Sequence, residues 1–306
     1  MSKLLLLDFD GVLFDSSLEL SSIVLSIIPQ IFPNSNLSKY LQNLESIKIL
    51  NDDKLIKQNY KKIKKILINE INLFNKYYKK FRTYCTDVDD FYITSKILIN
   101  HFENKNNNIN TKKITLKDFK DLNLKKYNFN FYYNFKAKLK QENQKELNDF
   151  IEHFYNKRKF IKENNKELWL SFNEPFKNII IQLNNILKRN NILIAILSTK
   201  QKYAIEEILK FYNINIKHIF GKEKEFIDKG KKILEISNIF KTQEIHFVDD
   251  LIYNLLRIKE ELKSNTKNDI NINLYMSKWG YNHYETRKIA RKNNIKIINS
   301  LREIKI

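Results

Sequence analysis

Lys3-Leu-Leu-Leu-Leu-Asp8-Phe-Asp10-Gly-Val-Leu-Phe-Asp15-Ser16 is the stretch on which the reading of this chain turns. Leu4 to Leu7 make an uninterrupted apolar run, the pattern of a strand buried on both faces of a parallel sheet. The run ends in Asp8 and Asp10, two carboxylates one residue apart, followed by Gly11. Carboxylates at the end of a buried strand lose hydration, so a cation or a reaction is needed to hold them there. Glycine permits the sharp turn that brings main-chain amides close to a ligand. Taken alone, the motif fits an exposed Asp-x-Asp-Gly turn after an edge strand equally well.

The partners of this first strand lie far away. From about residue 172, short apolar runs alternate with helical patterns. Ile192–Leu197, Ile245–Val248, Ile272–Met276 and Ile295–Ile298 read as strands, with a weaker one near His218–Phe220. Between them, Phe176–Arg189, Gln201–Tyr212, Lys231–Phe240, Asn254–Leu262 and Tyr284–Asn293 read as amphipathic helices. Such alternation implies a parallel sheet covered on both faces, and Leu4–Leu7 is expected to join it.

Open parallel sheets gather ligands at the carboxyl ends of their strands. Leu4–Leu7 is followed there by Asp8 and Asp10, Ile192–Leu197 by Ser198, Thr199 and Lys200, and Ile245–Val248 by Asp249 and Asp250. A lysine cluster, Lys229, Lys231 and Lys232, opens a helix between the last two. Several carboxylates on one rim repel one another unless a divalent cation neutralises them, and hard oxygen ligands favour magnesium. A hydroxyl and an ammonium can then hold the oxygens of a phosphoryl group. Each element has an innocent explanation, as a helix cap or solvated surface. One site explains all of them together.

In order and spacing these segments resemble the haloacid dehalogenase (HAD) superfamily of aspartate-nucleophile phosphatases. The resemblance rests on Asp8-Phe-Asp10-Gly-Val-Leu-Phe-Asp15-Ser16, on Ile194-Ala-Ile-Leu-Ser198, on Lys229 within Asp228-Lys229-Gly230, and on His246-Phe-Val-Asp249-Asp250. It covers residues 1–16 and about 172–306. It implies an α/β fold: a Rossmann-like parallel sheet forming the catalytic core (1–16 plus 172–306), with a large α-helical cap domain, residues 17–171, inserted after the first strand. It also implies that Asp8 attacks phosphorus to form a phospho-aspartyl intermediate, and that Asp10 is general acid and base. Ser198 and Lys229, with Thr199 beside them, would hold the phosphoryl group. Mg2+ would be bound by Asp8, Asp10 (through its main-chain carbonyl), Asp249 and Asp250. Members with a second acid further along the fourth motif would carry it at 254, where this chain has Asn254 and offers Asp249 instead. Asp10 disfavours dehalogenation and points to phosphate esters. A phosphomutase or phosphotransferase would use the same motifs.

Composition bounds the remainder. The 306 residues include 21 Phe and 16 Tyr, enough for a packed core, while 4 Gly and 3 Pro argue for long helices over loop-rich architecture. A single cysteine, Cys85, excludes an internal disulfide and fits a reducing, cytoplasmic setting. No apolar stretch approaches the ~20 residues of a membrane helix, and the N-terminal run is too short for a signal peptide. The net charge of +20 raises nucleic acid as a partner, including a polynucleotide end-phosphatase. It is spread along the chain, +12 over residues 16–170 and +8 over the rest, which favours a generally basic, solvated surface, while the resemblance implies a small phosphorylated substrate.

The insertion reads as helical over Leu55–Phe81 and Gln144–Trp169, with an Asn-rich linker at Glu103–Thr111. Its aromatic run, Tyr127, Phe129, Phe131, Tyr132, Tyr133 and Phe135, is expected in the core rather than stacked on bases. Arg82 and Arg158 are candidate anchors for an anionic substrate, with interhelical pairing the favoured alternative. Trp279-Gly280-Tyr281 follows a strand and is a candidate border of the cleft, with core packing the favoured reading. Only 30 residues separate Ser198 from Lys229, too few for a cap in that position.

Overall fold

The computed structural model describes residues 3–104, 118, 129–189, 192–223, 228–264 and 270–305. The chain divides into two compact units, Ser17–Phe172 and Met1–Ser16 with Asn173–Ile306. No helix among the described residues is long and apolar enough to cross a membrane.

The first unit is helical: α1 (Ser17–Ile31), α2 (Asn36–Leu41), α3 (Glu45–Asn51), α4 (Tyr60–Phe81), α5 (Val88–Asn104), α6 (Phe129–Glu142), α7 (Gln144–Asn164) and α8 (Lys166–Ser171). Helix α1 is buried from Ser17 to Pro29 and packs on α4 and α7. Apart from Glu19, its residues from Ser17 to Pro29 are apolar or small on every side, as a helix surrounded by others requires. Helix α4 instead buries one stripe, Ile63, Leu67, Ile71, Phe74, Tyr78 and Phe81, at helical spacing.

The long helices expected from periodicity are each broken by an asparagine. Asn59 Oδ1 accepts the Lys61 and Lys62 amides, so α4 begins at Tyr60, after a single 3-10 turn at Leu55–Lys57. Asn165 Oδ1 accepts the Leu168 amide and separates α7 from α8. Asparagine satisfies the free amides at a helix start better than it serves the interior.

The aromatic run divides. Tyr132 is fully buried, stacks on Tyr84 at 5.1 Å and donates to the Asp90 carboxylate, whereas Phe131 is exposed. Tyr127, the side chain of Phe129 and residues 105–111 of the Asn-rich stretch lie outside the described residues. Arg82 lies over the Phe91 ring, and Arg158 pairs with Glu19 at 2.8 Å and lies over Trp169, so both engage neighbouring helices.

The second unit is the α/β sheet. In chain order it contains β1 (Lys3–Leu7), β2 (Phe14–Asp15), β3 (Glu174–Pro175), α9 (Lys177–Leu187), β4 (Ile192–Gln201), α10 (Lys202–Phe211), β5 (His218–Lys222), α11 (Lys229–Phe240), β6 (Glu244–Asp249), α12 (Ile252–Ser264), β7 (Asn271–Ser277), α13 (Tyr284–Lys292) and β8 (Lys296–Ile298). The six-stranded sheet runs β5-β4-β1-β6-β7-β8 and every pairing is parallel. The leucine strand lies at its centre, with Leu4 to Leu7 fully buried. Removing each such side chain from water contributes roughly 1.5–3 kcal/mol. Register places Leu7 opposite both Ile196 and Val248, so the three central strands reach the carboxyl rim together. Beyond them, β2 and β3 form a short antiparallel ribbon.

Candidate active site

The carboxyl rim assembles the acids from separate strands. Asp8 follows β1 and Asp249 closes β6, and the Asp8 amide donates to the Val248 carbonyl at 2.9 Å. Oxygens of Asp8, Asp249 and Asp250 lie within 4.8 Å of one another, and all three residues are buried. Lys229, at the first turn of α11, reaches into this group. Its Nζ lies 2.6 Å from Asp249 Oδ2 and 3.2 Å from Asp8 Oδ2. Lys231 is exposed, and Lys232 turns to Glu235 at 2.7 Å on the surface. Of the three lysines, the structure brings Lys229 alone to the acids.

Two glycines make the close approach possible. Gly11 adopts φ +83, and a Cβ there would fall 2.2 Å from Asp250 Oδ2. A Cβ on Gly280 would fall 2.3 Å from both Asp250 Cβ and the Gly11 carbonyl. Next to Gly280, the Tyr281 amide donates to Asp250 Oδ2 at 2.6 Å. The Tyr281 hydroxyl donates to Asp15 Oδ1 and accepts from the Ser16 amide, each at 2.8 Å. Trp279 donates its indole N–H to the Val12 carbonyl at 3.0 Å. The Trp-Gly-Tyr segment therefore borders the acids and fixes one of them. Its position just past the end of β7, on the same rim, was the signal for that role.

Ser198 is buried at the rim end of β4, the strand paired with β1 that leads to Asp8. Thr199 is half-buried on the same bend of β4. Asn254, in the first turn of α12, donates to Asp249 Oδ2 at 3.1 Å and Oδ1 at 3.3 Å. Asp10 stands apart from the three-acid group. Its carboxylate meets Lys200 Nζ at 3.2 Å, a contact the sequence did not single out.

No protein-family model matches the chain, and no curated protein matches it. Solved structures do. A candidate phosphatase from Clostridium difficile aligns over 99% of this chain and 97% of its own, at 13% identity and TM-score 0.52. A haloacid dehalogenase-like family hydrolase from Streptococcus pneumoniae aligns over 97% of this chain and 93% of its own, at 11% identity and TM-score 0.50. The chain has the HAD fold.

Within this HAD fold the electrostatics of the rim follow from burial. Loss of hydration pushes the Asp8 carboxyl up to about 6; Lys229 opposes the rise, while Asp249 and Asp10 add to it. Burial also works against the charge of Lys229, but Asp249 and Asp8 outweigh it and hold the ammonium above its ordinary value. Three buried acids face one buried lysine, and Asp8 Oδ1 has no hydrogen-bond partner among the described residues. An orphaned carboxylate oxygen inside an oxygen-only donor set fits a hard divalent cation.

Proposed function

We propose that the protein is a magnesium-dependent phosphatase acting on small phosphate monoesters. The observation that carries this reading is the buried group of Asp8, Asp249 and Asp250 with Lys229 between two of them, beside an orphaned Asp8 oxygen. Asp8, Asp249, Asp250 and the main-chain carbonyl of Asp10 would hold the cation. When bound, it would neutralise the acids and draw charge from the phosphoryl oxygens.

The residues of the chain supply the remaining chemistry. An Asp8 oxygen attacks phosphorus; the new P–O bond to Asp8 forms as the bond to the ester oxygen breaks. Asp10 passes a proton to that oxygen, which leaves as an alcohol. Water then attacks phosphorus and gives its proton to Asp10, while the P–O bond to Asp8 breaks and restores the carboxylate. Ser198 and Lys229 hold the transferring group through both displacements, with the ammonium countering charge at the oxygens.

Phosphate release from a broad panel of phosphate esters, with and without magnesium, tests the reading against Asp8→Asn. Magnesium-dependent release by wild type that is lost in the variant is expected. Release that persists in folded Asp8→Asn removes Asp8 from the nucleophile's role, and no release from any ester overturns the phosphatase reading.

A further inference from the structure

Strand β4 does not run smoothly to its end. Leu197 is level with Phe220 and Gln201 with Lys222, so four steps on β4 span only two on β5. The surplus bows out as a bulge carrying Ser198, Thr199 and Lys200, and bulges re-aim the side chains they carry. Gly221 on β5 makes room for it: a Cβ there would meet Lys202 Cα at 2.6 Å and the Lys200 carbonyl at 2.9 Å.

The bulge delivers Lys200 into a buried setting. Its side chain is 6% exposed, with Nζ 3.2 Å and 3.5 Å from the Asp10 oxygens and 3.0 Å from Asn173 Oδ1. The same Nζ lies 5.6 Å from the centre of the Phe9 ring. Burying an ammonium is costly unless its protons are used, and here they are directed to Asp10 and Asn173. Asp10 itself directly precedes Gly11, and Lys200 Nζ reaches both of its carboxylate oxygens.

We infer that Lys200 is a positioning residue for Asp10, gripping its carboxyl group so that the proton reaches the leaving oxygen of the ester. The inference rests on the phosphatase reading above. Lys200 touches neither substrate nor phosphorus; it acts through Asp10, with Asn173 fixing the lysine from the other side.

The signature is dependence on the leaving group. A primary-alkyl oxygen needs a proton to depart, and a p-nitrophenyl oxygen does not. Steady-state kinetics with p-nitrophenyl phosphate and glycerol 1-phosphate would compare wild type, Lys200→Met, Lys200→Arg and, as reference, Asp10→Asn. Lys200→Met should lose on the order of 100-fold in kcat/KM on the alkyl ester and less than about fivefold on the aryl ester, because kcat/KM reports the first displacement and not the water attack common to both. Lys200→Arg should recover most of the alkyl activity. Equal losses on both esters, or no change, overturn the inference while leaving the phosphatase reading intact. An inactive wild type overturns both. Should Lys200→Met not fold, Asn173→Ala keeps the lysine and decides: a selective alkyl loss supports the inference, and an unchanged ratio overturns it.

Discussion

Tyr281 holds Asp250 with its main chain, amide to Oδ2 at 2.6 Å, while its hydroxyl is committed elsewhere, to Asp15 and the Ser16 amide. The two functions of this residue separate cleanly in mutants. Tyr281→Phe keeps the amide and should cost about 1 kcal/mol for the lost hydroxyl contacts. Gly280→Ala places a methyl 2.3 Å from Asp250 Cβ and should displace the acid. Titrating magnesium against the melting temperature checks the pair: the metal-induced rise should survive in Tyr281→Phe and vanish in Gly280→Ala.

Lys229 should be far more sensitive than its neighbours. Lys229→Ala removes the charge between Asp8 and Asp249, and a loss of roughly 10²–10³ in kcat is expected. Lys231→Ala and Lys232→Ala, both on the surface side of α11, should stay within about twofold of wild type. A dominant effect at Lys232 in the same assay would move the proposed phosphate-binding role from Lys229 to Lys232.

In the helical unit, Glu19 Oε1 accepts from both Arg158 Nε and Trp169 Nε1, each at 2.8 Å. Both members of the ion pair are largely buried, at 7% and 16% exposure. Glu19→Met removes the acceptor shared by the Arg158 guanidinium and the Trp169 indole N–H, and should destabilise by roughly 3–5 kcal/mol. The double change Glu19→Met with Arg158→Met should cost far less than the sum of the single changes, because no uncompensated charge remains. Urea unfolding of the four proteins measures the coupling, and simple additivity would rule it out.

Lys157 predicts a pH dependence. Its ammonium lies 2.6 Å from Asn51 Oδ1 and 3.1 Å from the Leu50 carbonyl, and burial pulls it down to about 8 against the opposing charge of Asp53. In the unfolded chain the same group titrates near about 10.4. Between these values the unfolded state binds more protons, so this lysine's penalty on the fold is full below pH 8 and fades as pH rises. Melting curves should show wild type gaining on Lys157→Met from about pH 8 to about pH 10. A gap constant across that range would refute the assignment.

The sheet was readable because each central strand is buried on both faces and so appears as an apolar run that polar residues end abruptly. That is how Asp8, Ser198 and Asp249 could be placed on one rim and a parallel α/β sheet expected, while the HAD-like expectation came from the resemblance of the motifs that follow the strands. The helical insertion was legible as helix but not in its divisions, since Asn59 and Asn165 act locally as caps inside a periodic pattern that continues past them. The contacts that Lys200 and Tyr281 make were not legible for a different reason. The bulge that aims Lys200 depends on a glycine in the neighbouring strand, and Tyr281 grips Asp250 through a main-chain amide that every non-proline residue possesses.

The central place of β1 also dictates when the protein can fold. Leu4–Leu7 must pair with residues near 192–196 on one side and 245–248 on the other. At about 5–20 residues per second of synthesis, the apolar run waits on the order of tens of seconds for its second neighbour. The helical unit, whose contacts close within residues 17–172, can be complete long before. An emerging chain thus carries a finished helical body and an exposed leucine segment at once. Pulse-labelled hydrogen exchange on refolding should find α1 and α4 protected ahead of β1, and simultaneous protection would contradict this order.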